Sequence, residues 1–296
     1  MSVKFMSKSQ RTFEIFNIIF LSLFGIVSLY PFWYVLVASF NVGSDFVRGG
    51  VYFWPRAFTL ENYARAFSDP RILDALLISI KRTLLGVVLG LFFTALIAFA
   101  VTIKTLPGRT FFTFFFYFTT IFSGGLIPYY LLLVDLGLNR SFWLYVIPSI
   151  YSFFNFLLMR TYFQTIPDEM LESAQMDGAG YGRVLFQIYI PLATPIIATL
   201  ALFIGVGHWN DWFTGAYFQS RPQLWPAATL LQSLLREASP AAMRAGQETV
   251  AETMRTFTPQ SLQMAFVMIL TMPIVVVYPF LQKYYVKGVM IGAVKG

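Results

Sequence analysis

The stretch that decides the fold runs from Pro167 to Pro195 and reads PDEMLESAQMDGAGYGRVLFQIYIPLATP. Its first half is polar and its second half is apolar. Asp168 can cap a helix because its carboxylate can accept hydrogen bonds from unpaired amides, and acids in the first turn suit the helix dipole. Gly178 and Gly180 can supply the left-handed residue that ends the helix. The predicted helix has roughly two to three turns, too few to be stable alone, so we expect it to dock on a partner.

A helix lying flat on lipid is the alternative interpretation of this segment. Such helices are usually rich in Lys and Arg, whereas this one carries Glu169, Glu172 and Asp177. The acidic face therefore favours a protein partner. Three small residues would permit its close approach: Ser173, Ala174 and Ala179.

Two prolines, Pro191 and Pro195, interrupt the apolar half. Proline removes a backbone hydrogen bond and clashes with the preceding helical turn. We therefore predict a bendable start to a membrane span, attached directly to the docking helix.

The composition of the whole chain indicates that its solvent is lipid. Of its 296 residues, 57% are hydrophobic and 12% are charged, whereas soluble domains carry about 25% charged residues. The net charge of +7 is typical of cytoplasmic topology signals and does not call for nucleic acid. The chain has no Cys, so disulfides and thiolate metal sites are excluded. Its first apolar run is too long for a signal peptide and is read as a retained span.

Six segments are long and apolar enough to cross a bilayer. An even number puts both termini on one side, and the basic residues of the short flanks predict that this side is the cytoplasm. The chain is thus predicted to be an all-α membrane protein with a single domain over residues 1–296. The six segments are about Ile15–Phe40, Leu84–Ile103, Phe111–Val134, Phe142–Met159, Val184–Gly207 and Leu262–Leu281.

Two long outer loops are expected, over about residues 41–81 and 214–261. Within them, LENYARAF and LLQSLLREA have the pattern of short surface helices, and solvated loop structure is the equal alternative. Lys81 and Arg82 precede the second span, and we expect their long side chains to extend to the interface. The polar segment over about residues 167–183 lies on the cytoplasmic side, between spans four and five.

Polar and aromatic side chains within the spans mark either packing or a substrate pathway. Tyr30, Trp33 and Tyr34 share one helix face, which suits an interfacial aromatic belt or stacking on a sugar ring. Ser149, Ser152 and Asn155 recur every three residues. Hydrogen bonding between helices explains the serines, and Asn155 is the better pathway candidate.

The segment GHWNDWF, residues 207–213, contains the only His of the chain. His208, Asp211 and Trp212 can share a helix face. One His is poor support for a metal site, so we expect none. A pathway lining or a loop anchor is the expected role, and Trp209, Asn210 and Asp211 join the pathway candidates.

The polar segment resembles the EAA signature loop of permease subunits in binding-protein-dependent ABC importers. The resemblance rests on Glu172, Ser173 and Ala174, on the following Asp177-Gly178-Ala179, and on the later Pro191, Leu192 and Pro195. Ser173 replaces the family's first Ala, a small-for-small change. In that family the loop is a coupling helix, which inserts into a cleft of a cytoplasmic ATPase. The resemblance assigns ATPase coupling to Glu169, Glu172, Ser173, Ala174, Asp177, Gly178 and Ala179.

Two further segments are similar to the carbohydrate-uptake branch of this family. They are FSGGLIPYYLLLVDLGLNRSFW (residues 122–143) and the ending YYVKGVMIGAVKG, which resemble oligosaccharide and lipoprotein-type permeases, alginate importers among them. The resemblance implies a type I permease fold in the bacterial inner membrane. It also implies four kinds of partner: a second related permease, two ATPase subunits, an extracytoplasmic binding protein and a saccharide.

The chain itself has no Walker motif, so ATP and Mg are expected on the partner ATPases and no cofactor on this chain. Two other functions stay open on the residues alone. An ion-coupled secondary transporter would need carboxylates or His inside the membrane, and the spans are nearly free of them. A membrane scaffold without transport would leave the docking helix unexplained.

Overall fold

A computed structural model of the chain describes residues 8–237, 260–273, 275–276 and 279. These residues are almost all helical, and the β structure among them is an isolated antiparallel bridge between Asn41 and Phe58. The α-helices are α1 (Lys8–Ser39), α2 (Gly43–Val47), α3 (Glu61–Ser68), α4 (Pro70–Thr102), α5 (Arg109–Ile121), α6 (Leu126–Asp135), α7 (Phe153–Phe163), α8 (Asp168–Met176), α9 (Tyr181–Val184), α10 (Ile190–Leu192), α11 (Thr194–Asn210), α12 (Phe213–Phe218) and α13 (Ala227–Glu237). A further helix covers residues 260–273.

Two of these helices are long and apolar enough to cross a membrane by themselves, Gln10–Ser39 and Pro70–Thr102. Three helix pairs qualify only if each bent pair counts as one span, which gives up to five spans among the described residues. The bent pairs are Arg109–Ile121 with Leu126–Asp135 at 112°, Phe142–Ser149 with Phe153–Phe163 at 47°, and Tyr181–Leu192 with Thr194–Asn210 at 83°. Of the predicted sixth span, Leu262–Leu281, the structure describes residues 262–273, 275–276 and 279 as helical, whereas the chain ending YYVKGVMIGAVKG lies outside the described residues.

The predicted weak start of the fifth span is confirmed by the 83° bend. Pro191 and Pro195 flank Ala193, where α10 ends and α11 begins. A π-helical turn, Leu185–Tyr189, precedes the bend. Since proline cannot donate a backbone hydrogen bond, the helix is interrupted where the two prolines fall.

The third and fourth spans are not the continuous helices that the sequence predicts. Between α5 and α6 the chain turns at Gly125, whose φ of +89° is a conformation that favours glycine. In the fourth span, short 3-10 turns replace the first half of the expected helix. Ser152 caps α7, because its side chain accepts a hydrogen bond from the backbone amide of Asn155. Ser149 lies before this cap, in a 3-10 turn, so Ser149, Ser152 and Asn155 do not form a stripe on one helix.

The chain divides into two compact units. The first comprises Met1–Ser68 and Leu235–Ile269, and the second comprises Asp69–Leu234 and Leu270–Gly296. In the first unit, α3 confirms that LENYARAF forms a short helix. Its buried Asn62 donates to the carbonyls of Ser39 at 2.9 Å and Asn41 at 3.0 Å. This amide therefore fixes the chain that follows α1.

The second unit is built on α4, α7 and α11, which pack around a shared apolar core. Its buried residues include Phe99 on α4, Phe156 on α7 and Leu200 on α11. Two glycines of α4 face α11 closely. A Cβ at Gly86 would lie 2.1 Å from Nε2 of His208, and one at Gly90 would lie 3.3 Å from Ile204. The absence of side chains there brings α11 and its polar end close to α4.

Candidate functional sites: helix α8 and a polar cavity

Helix α8 has the length predicted for the docking helix, but its first turn differs from the expectation. Pro167 occupies the cap position without a side-chain bond, and Asp168 is the first helical residue. The Asp168 carboxylate instead accepts a hydrogen bond from Nζ of Lys104, just after α4. This hydrogen bond raises the pKa of Lys104 above its usual value. The acid predicted to cap α8 thus ties it to the turn that follows α4.

The end of α8 is fixed as the sequence predicts, by a glycine in the left-handed region. Gly178 has a φ of +78°, whereas Gly180 is extended with a φ of −71°. The Gly178 amide donates to the Gln175 carbonyl at 3.0 Å, and the Ala179 amide donates to the Ala174 carbonyl at 2.9 Å. These two bonds form a Schellman motif, which stops the helix at a defined residue.

The two faces of α8 differ in chemistry. Leu171, Ala174 and Ala179 are half-buried and pack on the apolar core of the second unit. Ala174 and Ala179 therefore allow α8 to pack closely on the rest of its own chain. The sequence interpretation had expected these small residues to permit the approach of a partner instead. Met176, which sequence reasoning missed, is 88% exposed on the other side. The exposed face also carries Glu169, Met170, Glu172, Ser173 and Asp177.

The second candidate site is a cavity of about 300 Å³ inside the second unit. It is only partly enclosed, and its lining comes from α4, α6, α7, α11 and α12, from the 3-10 turns before α7, and from Asp211 between α11 and α12. Of the pathway candidates, it brings together Asn155 and Asp211. Its polar wall consists of Arg82, Tyr129, Tyr145, Ser149, Asn155, His208, Asp211 and Thr214.

A buried ion pair forms one side of this cavity. Arg82 donates from Nη2 to Oδ2 of Asp211 at 2.6 Å and from Nη1 to the Asp211 backbone carbonyl at 3.0 Å. The guanidinium carbon also lies 4.5 Å from the centre of the Tyr145 ring. The prediction that Arg82 extends to the membrane interface is therefore wrong. A charge buried in a span needs a partner, and Asp211 supplies it from 129 residues away.

His208 lies beside this pair and is buried. Its Nε2 is 3.4 Å from Oγ of Ser149, and its Nδ1 has no hydrogen-bond partner among the described residues. The predicted common helix face of His208, Asp211 and Trp212 is wrong, because α11 ends at Asn210 and Asp211 is extended. Within the described part of the chain, no group of three or more His, Asp or Glu could hold a metal ion.

The other pathway candidates lie outside this cavity. Trp209 donates from Nε1 to the Leu270 carbonyl at 3.0 Å, which ties the end of α11 to Leu270 within the second unit. Asn210 is exposed. Tyr30 and Trp33 belong to the first unit, where Trp33 donates from Nε1 to the Phe53 carbonyl at 3.0 Å.

Sequence reasoning missed the roles of Arg82 and Tyr145. Arg82 is the last charged residue of α4 before its long apolar run, and a charge at the edge of such a run is a signal for a functional site. Its partner could not be read from the sequence, because nothing local links Arg82 to Asp211.

Comparison with known proteins shows similarity along nearly the whole chain. The chain is 36% identical to Protein LplC of Bacillus subtilis over 98% of its own length and 97% of that protein. It is 33% identical to the polygalacturonan/rhamnogalacturonan transport system permease protein YtcP of the same organism, over 97% of this chain and 99% of that one. No protein-family model matches the chain.

A solved structure shows the same fold. In the crystal structure of a bacterial ABC transporter involved in the import of the acidic polysaccharide alginate, one chain is 30% identical to this one. The TM-score is 0.86, and the match covers 96% of this chain and 100% of that one. A bacterial alginate ABC transporter solved with a pentasaccharide-bound periplasmic protein matches at 14% identity and a TM-score of 0.59, which supports the fold alone.

Proposed function

The chain belongs to the permease subunits of carbohydrate-importing ABC transporters, and from this premise we propose how it works. With a second, related permease it forms the pathway for an oligosaccharide that an extracytoplasmic binding protein delivers. Acidic chains such as alginate are among the expected substrates, because relatives include a polygalacturonan permease and an alginate importer.

The observation that carries this proposal is the construction of α8. It has a defined start beside Lys104, a defined stop at Gly178 and an apolar side packed on its own core. Its acidic side is exposed together with Met176. A helix of nine residues has little stability of its own, so holding it in place with one face free suits docking. We assign that face to a cytoplasmic ATPase.

Energy for import comes from the partners of this chain. Two ATPase subunits hold ATP and Mg, and the permease chain carries neither a Walker motif nor a cofactor. When the ATPases close, α8 moves with them. The 83° bend between α10 and α11 follows α8 closely in the chain. We propose that this bend passes the movement into the fifth span, so that the pathway alternates between inward-open and outward-open.

The membrane arrangement is part of the same proposal. The whole chain, residues 1–296, forms one permease domain of six spans in the bacterial inner membrane, with both termini in the cytoplasm. The three bent pairs each act as one span, and residues 262–281 supply the sixth. This arrangement places α8 between spans four and five on the cytoplasmic side, where an ATPase can reach it.

The cavity is the proposed substrate pathway within this chain. Asn155 and Asp211 line it directly. Trp209 and Asn210 support the end of α11 beside it. Tyr30 and Trp33 remain candidates for a second stretch of the pathway. An ion-coupled mechanism would need a free carboxylate inside the membrane, whereas Asp211 is neutralised by Arg82.

The replacement Glu172→Pro tests the role of α8. Glu172 lies in the interior of α8, where proline removes a hydrogen bond and costs about 3 kcal/mol. Glu172→Ala is the matched control, since alanine removes the same carboxylate and favours a helix. We expect Glu172→Pro to abolish oligosaccharide uptake by reconstituted complexes and to release the ATPases, while the permease still inserts into the membrane.

Glu172→Ala keeps the helix but removes a carboxylate from the face assigned to the ATPase, so it should lower uptake by less than Glu172→Pro does. If Glu172→Pro supports normal uptake with bound ATPases, α8 is not the coupling element. Substantial ATP hydrolysis by the purified permease chain alone would contradict the assignment of ATP hydrolysis to the partner subunits.

A further inference from the structure

The guanidinium of Arg82 is buried but incompletely paired. The side chain of Arg82 is 2% exposed. Nη2 donates to Oδ2 of Asp211 and Nη1 donates to the Asp211 backbone carbonyl, whereas Nε has no hydrogen-bond partner among the described residues. A guanidinium can donate two parallel hydrogen bonds to one carboxylate. Asp211 offers Arg82 a single carboxylate oxygen, so another carboxylate could bind this guanidinium more completely.

Asp211 is less dependent on the pair than Arg82 is. Its side chain is 28% exposed, and it lies in extended backbone between α11 and α12. Its other carboxylate oxygen, Oδ1, accepts a hydrogen bond from the Thr214 amide at 3.1 Å. If Oδ2 leaves Arg82, the carboxylate therefore keeps a hydrogen bond and its exposed surface. The same departure would leave Arg82 as a buried, unbalanced cation that needs another anion.

The cavity beside this pair offers groups that suit a sugar. Arg82 belongs to its lining together with Ser149, Asn155 and Thr214. Hydroxyl and amide side chains can hydrogen-bond the hydroxyls of a sugar ring. The volume of about 300 Å³ is at the low end for ligand pockets, which suits a short segment of an oligosaccharide. The cavity thus combines hydrogen-bonding groups for a sugar ring with a cation that can bind a carboxylate.

We propose that Arg82 binds a carboxylate of the sugar and that Asp211 occupies this place until the sugar arrives. The uronate carboxylate accepts two hydrogen bonds from the guanidinium, and the Asp211 side chain moves towards Thr214 and solvent. Because the pair ties α4 to the end of α11, the exchange also releases this tie when an acidic sugar is bound. The inference rests on the proposed function and names the residue that recognises its acidic substrates.

The test compares sugars that differ in their carboxylates. Trigalacturonate is paired with its carboxyl-reduced counterpart galactotriose, and trimannuronate is paired with mannotriose. Saturation-transfer NMR detects weak binding of each to the detergent-solubilised transporter complex without binding protein. In at least one pair, we expect the acid to bind wild-type complex on the order of tenfold more tightly, the scale of one hydrogen bond to a charged group. Equal or tighter binding of the neutral sugar in both pairs, or no binding of either acid, would overturn the inference.

The variant Asp211→Asn distinguishes the exchange from a purely structural role of the ion pair. Asparagine keeps the shape of the side chain but no longer competes as an anion for Arg82. We expect the acid to bind this variant on the order of tenfold more tightly than it binds wild type. The acid should also raise the melting temperature of the variant complex by more, because it supplies the anion that Arg82 lacks. Weaker binding of acidic and neutral sugars alike would indicate a structural role instead.

A double variant keeps the test decisive if Asp211→Asn does not assemble. Arg82→Gln with Asp211→Asn removes both charges and retains side chains that can hydrogen-bond, so it should bind the acidic and neutral sugars equally. An undiminished preference for the acid would contradict the role of Arg82. Asp135→Asn is the control, because Asp135 is an exposed acid at the end of α6 and outside the cavity lining; it should retain the wild-type ratio.

Failure of this inference is distinguishable from failure of the proposed function. If acidic and neutral sugars bind wild-type complex equally and the complex still imports oligosaccharide, only the role of Arg82 is wrong. Absence of ATP-dependent oligosaccharide import by the assembled complex would overturn the proposed function itself.

Discussion

Two ion pairs of the second unit join the same types of group in opposite surroundings. In the pair at α8, the side chains of Lys104 and Asp168 are 72% and 54% exposed. In the cavity pair, Arg82 is 2% exposed and Asp211 is 28% exposed. Water solvates Lys104 and Asp168 whether or not they pair. If one partner of the buried pair is removed, the other is left as an unbalanced charge.

The difference in exposure determines what each ion pair can do. The exposed pair can open and close at little cost, so it suits a helix that moves against its own chain. The buried pair holds α4 to the end of α11, and breaking it requires a replacement partner. We therefore expect the two pairs to respond very differently to the same kind of substitution.

The largest loss of stability should follow Arg82→Met. Methionine removes the guanidinium at similar length and leaves Asp211 unpaired beside the cavity. Loss of one partner of a buried ion pair costs about 3–5 kcal/mol. Denaturant unfolding of the purified protein in detergent measures this change in the free energy of unfolding.

The double variant Arg82→Met with Asp211→Leu is the control for this prediction. Replacing both partners by apolar residues removes the unbalanced charge, so most of the stability should return. An Arg82→Met protein as stable as wild type would show that the pair is not buried as described.

A smaller loss of stability is expected for Gly86→Ala, which adds a Cβ against His208 without removing a charge. The new Cβ would lie 2.1 Å from Nε2 of His208, so His208 or α11 must move. Overpacking of this kind costs about 1–3 kcal/mol, and the same unfolding measurement detects it.

Gly25→Ala provides the comparison for this variant. Gly25 lies within α1, and nothing is within 4 Å of the Cβ that it would gain. It should be neutral or slightly stabilising, because alanine favours a helix more than glycine. Equal effects of the two substitutions would mean that α4 and α11 are not in close contact at Gly86.

The smallest effect should follow Lys104→Ala at the exposed pair. The pKa of Lys104 is raised by its hydrogen bond to Asp168. Any stabilisation by this pair is therefore fully present below the ordinary pKa of lysine and is lost as pH rises through the raised value.

Salt provides a second measurement of the same pair. Because salt screens exposed charges, high ionic strength should abolish the small difference in stability between wild type and Lys104→Ala. A large loss of stability that persists in high salt would show that the two pairs do not differ as proposed.

The two regions also differ in how far the sequence predicts them. The acidic first turn of α8, its small residues and its glycine stop are neighbours in the chain. Local rules therefore predicted its length and its end at Gly178, and the family resemblance supplied a partner. Asp168 departed from the prediction because Lys104, distant in sequence, offered a better partner than the helix start.

The cavity could be predicted only in part. Asn155 and Asp211 were identified from their polarity inside apolar segments. The pairing of Arg82 with Asp211 could not be predicted, because it depends on how closely α4 and α11 pack at Gly86. The breaks in the third and fourth spans were missed because apolar length measures hydrophobicity and does not register a turn such as the one at Gly125.

The coupling of α8 to an ATPase is tested most directly by cross-linking from Met176. The chain has no Cys, so Met176→Cys provides a single thiol on the exposed face of α8. Asp135→Cys is the control, since six spans place the end of α6 on the outer side. In intact cells, an impermeant thiol reagent should label Asp135→Cys and leave Met176→Cys unlabelled.

With a Cys placed in the ATPase cleft, Met176→Cys should form a disulfide in assembled complexes, and its yield should change when ATP is bound. This result would establish that α8 docks on the ATPase and moves with it. Labelling of Met176→Cys from outside the cell, or no cross-link in any nucleotide state, would contradict the account.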